Sequence, residues 1–282
     1  MTDISKTTPP AAGDGALLVV DRLCRTYPLP GRGRLTAAEA VSFTVARGGS
    51  VGIVGESGSG KTTVARMLVG LVRPDSGTVA VDGRPREART PRRREARLAR
   101  AREIQMVFQD PYISLDPRLT AGQCLRTALR LHGRDERSAA ELLDQVGLGA
   151  RESEARPRQL SGGQRQRLAI ARALAVRPRV LVLDEAVAAL DVSIQAQILQ
   201  LLDEIRRDTG VALVFVSHDL AVVQHITDEV LVMRRGQVVE QGPTQRVLSQ
   251  PADLYTRLLL AAVPREGWDP DDAVAARAAL AG

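Results

Sequence analysis

Residues 49–71, GSVGIVGESGSGKTTVARMLVGL, constrain this chain more than any other stretch. An apolar run meets a glycine-rich turn, and an amphipathic segment follows without a spacer. That order predicts strand, loop and helix in immediate succession. Within it GESGSGKT satisfies G-x-x-x-x-G-K-[ST], in the strand-to-helix context the pattern needs. Gly55, Gly58 and Gly60 free the backbone to curl, so that successive N–H groups, including those of Ser57, Ser59 and Thr63, can point inward. The helix N-terminus adds partial positive charge. Lys61 is the telling residue. Lys+Arg total 39, yet lysine occurs only at Lys6 and Lys61. A compact ammonium on a thin stem, kept where arginine is used nearly everywhere else, suits a phosphate inside a tight loop. Lys61 would then reach β- and γ-phosphates and the Thr62 hydroxyl would ligate Mg²⁺. The alternative is a glycine turn that ends in GKT without a ligand.

A second constellation bears on that choice. VLVLDE (180–185) is an apolar strand ending in two carboxylates. Asp184 is placed for the Mg²⁺ shell, and Glu185 for polarising a water in line with a γ-phosphate. Without the glycine loop upstream, the pair reads as a solvated turn.

The rest of the chain alternates. ALLVVDRL (16–23), AVSFTV (40–45), SGTVAVDG, IQMVFQD, VALVFVSH (211–218) and EVLVMRRG (229–236) read as strands. Residues 121–175, 193–207 and 219–226 read as helical, and 28–39 as a turn-rich loop. Core strands that are apolar throughout, alternating with helices, predict a mainly parallel sheet covered on both faces. There is no internal repeat, hence one nucleotide-binding unit. Residues 1–15 are expected to be a flexible polar leader. With aromatics at 2%, the core must be aliphatic. Net charge is +6, but the basic run 84–102 lacks interleaved aromatics, so it reads as a solvated segment and no nucleic-acid partner is expected. No apolar stretch reaches the roughly 20 residues that span a bilayer. Cys24 and Cys124 stand alone and match no metal framework.

LSGGQRQRLAIARAL (160–174) adds a further anion-binding helix start at Ser161, Gly162, Gly163 and Gln164. This stretch resembles the signature of ATP-binding-cassette (ABC) ATPases, and the resemblance spans roughly residues 16–265. It implies a P-loop NTPase (RecA-like) α/β core with an N-terminal antiparallel β subdomain and an inserted helical subdomain near 110–175. The cassette would occupy 16–250 and a C-terminal extension 251–282. Residue by residue, Tyr27 resembles the aromatic that stacks on adenine. Gln109 resembles the glutamine that ligates Mg²⁺ and senses the γ-phosphate. His218 resembles the switch histidine, and Asp191, in AALD, the acid of the dimer-seam loop, with Ala188 where serine is frequent. The implied cofactors are ATP and Mg²⁺. The implied partners are a second ATPase subunit placed head to tail, two transmembrane permease subunits and, indirectly, an extracytoplasmic solute-binding protein. The implied location is the cytoplasmic face of the plasma membrane.

VFQDPYISLDPRLT, DEAVAALDVSIQAQILQLL and DLYTRLLLAAVP (253–264) are similar to the oligopeptide, dipeptide and nickel importer ATPases. Asp253-Leu254 departs from that group's His-Pro. The competing class is a soluble ABC ATPase acting on nucleic acid or ribosomes. It would call for zinc-spaced cysteines, a long coiled coil or a second cassette, and the sequence carries none of these. The loop 111–120, with apolar Tyr112, Ile113 and Leu115 beside stiffening prolines, is a candidate socket for a permease helix. The alternative is that these side chains pack beneath the helical subdomain.

Overall fold

The computed structural model describes residues 15–31, 33–87, 91–133 and 139–262. The leader to residue 14 and the tail beyond residue 262 lie outside them. The chain opens with two long antiparallel strands, β1 (Ala16–Pro28) and β2 (Arg34–Ala46). The segment expected as a loop over 28–39 is therefore mostly strand, and the turn shrinks to residues 29–33. Polar Arg25, Thr26 and Arg34 belong to a two-stranded arm whose side chains are largely half-buried or exposed, so they lack the apolar alternation of a covered strand.

Next come β3 (Ser50–Val54) and α1 (Lys61–Val69), then β4 (Ser76–Val81) and the short β5 (Arg84–Pro85). The arginine-rich helix α2 (Arg94–Glu103) buries no residue, as expected of a solvated segment. It is followed by β6 (Ile104–Val107), and then by the helical insertion α3 (Ala121–Leu131), α4 (Ala139–Gln145), α5 (Ala150–Glu154) and α6 (Gly162–Leu174). The chain returns through β7 (Val180–Asp184), α7 (Val192–Thr209), β8 (Ala212–Ser217), α8 (Leu220–Ile226) and β9 (Glu229–Arg234). It ends with β10 (Gln237–Pro243), α9 (Thr244–Ser249) and α10 (Leu254–Ala261).

These strands form two sheets. One has the order β2-β1-β4-β5 and is antiparallel; the other has the order β10-β9-β3-β8-β7-β6. In the second, every pairing from β9 to β6 is parallel, and only β10 runs against its neighbour. Every residue of β3, β7 and β8 is buried, which is why their sequences lack alternation. The period-two rule still operates inside the protein. Leu213 and Phe215 of β8 join the core beneath α6, α7 and the helical insertion. Ala212, Val214 and Val216 join the core shared with α1 and the antiparallel sheet. Helix α7 covers its face with Ile198, Leu201, Leu202 and Ile205, one stripe at helical spacing.

Arg86 departs from the solvated reading of 84–102. Its side chain is only 4% exposed. Nε donates to Glu103 Oε2 at 2.8 Å and Nη1 to the Leu68 carbonyl, tying α2 to the end of α1. Burial, reinforced by Arg100, pulls the guanidinium pKa down to about 10. Glu103 is 33% exposed, so losing Arg86 costs the charge-assisted hydrogen bonds and not a stranded charge, about 2 kcal/mol. Arg86→Ala should lose that much stability in urea denaturation. A loss below about 1 kcal/mol, the range of an exposed pair, would place the pair in solvent.

Candidate functional site

The glycine loop between β3 and α1 is shaped by its neighbours. A Cβ on Gly60 would collide with the backbone oxygen of Ala37 in β2, and one on Gly55 with that of Met233 in β9. Both glycines also have positive φ, 107° and 149°. Gly236 N–H donates to the Ser59 carbonyl at 2.9 Å, so the β9–β10 turn braces the loop from the same side.

Lys61 is 4% exposed and folds back into the curl it closes. Its Nζ donates to the carbonyls of Gly55 and Glu56, each at 2.8 Å, and approaches Ser59 Oγ at 3.5 Å. Burial lowers the ammonium pKa, and the nearby Glu185, Asp184 and Glu56 carboxylates oppose that shift. Ser59 is buried, Thr62 and Thr63 are half-buried, and Ser57 and Gly58 are exposed at the loop's outer edge.

Thr62 Oγ1 donates to Asp184 Oδ1 at 3.0 Å, which joins the loop to the end of β7. Burial raises the Asp184 pKa, and the Thr62 hydrogen bond and the Arg66 charge pull against it. A hydroxyl and a carboxylate oxygen in contact, the carboxylate short of compensating charge, are the hard donors that a small divalent cation takes. Glu185, the next residue, has φ 49° and donates its N–H to the Val216 carbonyl. A left-handed conformation on a non-glycine residue is strained, and such strain clusters at functional sites. His218 Nδ1 lies 3.5 Å from Glu185 Oε1. Gln109 is exposed, two residues beyond β6. The structure therefore brings Lys61, Thr62, Asp184, Glu185 and His218 together, with Gln109 at the end of the adjacent strand.

The other sequence candidates are dispersed. Tyr27 is half-buried in β1, with the Arg25 guanidinium 4.8 Å from its ring centre. Ser161 caps α6, and its side chain takes up one N–H of the helix start, that of Gln164; the N–H groups of Gly162 and Gly163 take no part in this cap. Gln164 N–H donates to Ser161 Oγ at 3.2 Å, and Ser161 N–H donates to Gln164 Oε1 at 2.8 Å. The S-x-x-Q spacing of a capping box was readable in the sequence. Gly162 and Gly163 sit against Leu190 and Ile194, on either side of the exposed Asp191. In the loop 111–120, Tyr112 and Ile113 are exposed while Leu115 is buried, so the loop is part surface and part core. Arg165, next to the signature residues, stacks over the Tyr112 ring at 5.0 Å. Sequence reasoning missed that link, and it missed Tyr255, whose hydroxyl meets the loop from residue 56's side.

Comparison with known proteins decides the family. Residues 38–188 match the family described as ABC transporter. The chain belongs to the ABC transporter family. It is an ATPase cassette of that family. It is 47% identical over 266 residues to a Sinorhizobium fredii protein described as a probable peptide ABC transporter ATP-binding protein, covering 88% of this chain and 73% of that one. It is 48% identical over 233 residues to the glutathione import ATP-binding protein GsiA of Escherichia coli, covering 81% of this chain and 37% of that longer protein. Among solved structures, a cassette dimer in a post-hydrolysis state bound to ADP and Pi aligns at TM-score 0.69 and 31% identity, over 80% of this chain and 98% of that chain. The cassette has no described helix long and apolar enough to cross a membrane.

The buried carboxylate makes a pH prediction. The folded pKa of Asp184 lies above its ordinary value of 3.8. Its contribution to stability is therefore present below 3.8 and lost as pH rises through the raised value. Asp184→Asn keeps an acceptor for Thr62 and removes the charge. The nucleotide-free variant should be more stable than the parent near neutral pH, with the difference closing as pH falls toward 3.8. Urea unfolding across that range is the measurement, and equal stability at every pH would mean a solvated Asp184.

Proposed function

We propose that the cassette is the ATP-hydrolysing subunit of an importer for peptides or a related small solute, at the cytoplasmic face of the membrane. The observation that carries the chemistry is the 3.0 Å contact between Thr62 and Asp184, beside the Lys61 loop and the Glu185 carboxylate. The solute class rests on relatives described as peptide and glutathione importers.

In this reading Lys61 leaves the Gly55 and Glu56 carbonyls for the β- and γ-phosphates, and Tyr27 stacks on the adenine. Thr62, Asp184 and Gln109 would hold Mg²⁺. When bound, that ion would neutralise and orient phosphate oxygens. Glu185 orients the attacking water and accepts its proton, and His218, beside Glu185, faces the γ-phosphate. Ser161, Gly162, Gly163 and Gln164 serve the nucleotide of a second cassette across a head-to-tail dimer, with Asp191 at the seam. Residues 16–250 form the ATPase domain, and the segment from 251 is the importer-type extension.

The permease contact is assigned to Tyr112 and Ile113, 42% and 67% exposed. Ser114, the residue after Ile113, lines a cavity of about 230 Å³ together with Asp116, Leu119, Cys124, Leu131 and Arg172. The Tyr112–Arg165 stack connects this surface to the signature helix, and Gln109 connects it to the nucleotide.

Two experiments test the reading. Glu185→Gln should lower ATP turnover by roughly 10²–10⁴-fold, with ATP still bound and a closed dimer accumulating in sedimentation; unchanged turnover would move the base elsewhere. Ile113→Asp should leave the isolated cassette folded and able to bind ATP, but weaken assembly with its membrane subunits. Normal assembly and transport by that variant would remove the surface from the interface.

A further inference from the structure

The C-terminal helix reaches into the phosphate loop. Tyr255, in the first turn of α10, is 2% exposed. Its hydroxyl oxygen accepts the Glu56 N–H at 3.0 Å across 199 residues of sequence. The carbonyl of the same peptide unit, that of Gly55, accepts from Lys61 Nζ at 2.8 Å. In a trans peptide the N–H and C=O point in opposite directions. Two side chains therefore hold one peptide plane from its two sides.

The tyrosine is itself held firmly. Arg234, the last residue of β9, lies 5.1 Å over its ring. Asp253 caps α10 by accepting the Tyr255 N–H at 2.8 Å. Glu240 of β10 accepts the N–H groups of Ala252 and Asp253 at 2.9 and 3.1 Å. Beyond the aromatic packing, the hydroxyl makes one contact at the site, and it is with the loop.

We propose that Tyr255 is a positioning residue for nucleotide binding: its hydroxyl fixes the Gly55–Glu56 peptide plane, so that the extension after residue 250 sets the affinity of the phosphate loop for ATP. The proposal rests on residues 55–62 being the nucleotide loop. Lys61 must release the Gly55 carbonyl to meet a phosphate. At that moment the plane keeps one of its two restraints, the one from Tyr255. Without it the plane is free to rotate, and the loop must be reordered each time ATP binds. The cost falls on binding and not on the hydrolytic step, because Glu185 and His218 follow other strands, β7 and β8.

Tyr255→Phe in the full chain removes the hydroxyl and keeps the ring. ATP and ADP affinity, measured by equilibrium titration, should fall roughly three- to ten-fold, the range of one net hydrogen bond. KM for ATP should rise in parallel, with kcat within about twofold of the parent. Lys61→Ala is run beside it. If Lys61→Ala loses ATP binding and Tyr255→Phe binds ATP like the parent, the positioning role is overturned and the tyrosine serves packing alone. If Lys61→Ala still binds ATP, the loop assignment itself falls. Hydrogen exchange on the parent protein, without nucleotide, covers the case in which Tyr255→Phe does not fold. The Glu56 amide should be protected, and exchange at the rate of an open loop would overturn the proposal.

Discussion

Parallel pairing of four neighbouring strands is the constraint from which the site follows. Val54 of β3 is level with Ser217 of β8, and Asp184 of β7 is level with Val216. Val107 of β6 is level with Leu183. Each strand thus stops within about one residue of its neighbour. Gly55, Glu185 and His218 each begin where a strand ends, and Gln109 follows two residues after β6. Residues far apart in sequence become neighbours because the ladder admits only this register, and because both faces of the sheet are buried. A slip of one residue in β7 would turn Leu181 and Leu183 away from their core and withdraw Asp184 from Thr62.

At that edge the protein gathers charge that it does not fully satisfy. Lys61 and Asp184 are both buried and both shifted toward their neutral forms. Glu185 adds backbone strain. Each feature costs the cassette stability without a ligand. A ligand that offsets these costs on the proposed reading would gain affinity and stabilise the cassette by the same amount.

The sequence was most legible where a single local rule applied. Uniform burial of β3, β7 and β8 announced parallel strands, and the glycine loop announced its own helix. The failures have specific causes. The arm formed by β1 and β2 beyond Cys24 lies at a sheet edge, where half-exposed polar residues imitate a loop. β10 has no fully buried residue to mark it, and α9 is only six residues long. Arg86 reads as solvated in the sequence because its main partners, the Leu68 carbonyl and Glu103, are supplied by tertiary packing. Leu115 fell in a loop with no period by which to tell its side chain from that of Ile113. The Tyr255–Glu56 contact joins the two ends of the cassette, and no local pattern encodes it.

The close approach of Gly60 to the Ala37 backbone oxygen sets an asymmetry in how this region can change over evolutionary time. The wall against the glycine is main chain, so this contact places no demand on which side chain stands at position 37. It does demand that β2 follow the same path. Drift by substitution is open to β2 as far as the loop is concerned, whereas a single inserted or deleted residue in the strand would move the carbonyl and be felt at the glycine loop. The nucleotide loop thereby disciplines the length of a strand that carries none of its chemistry.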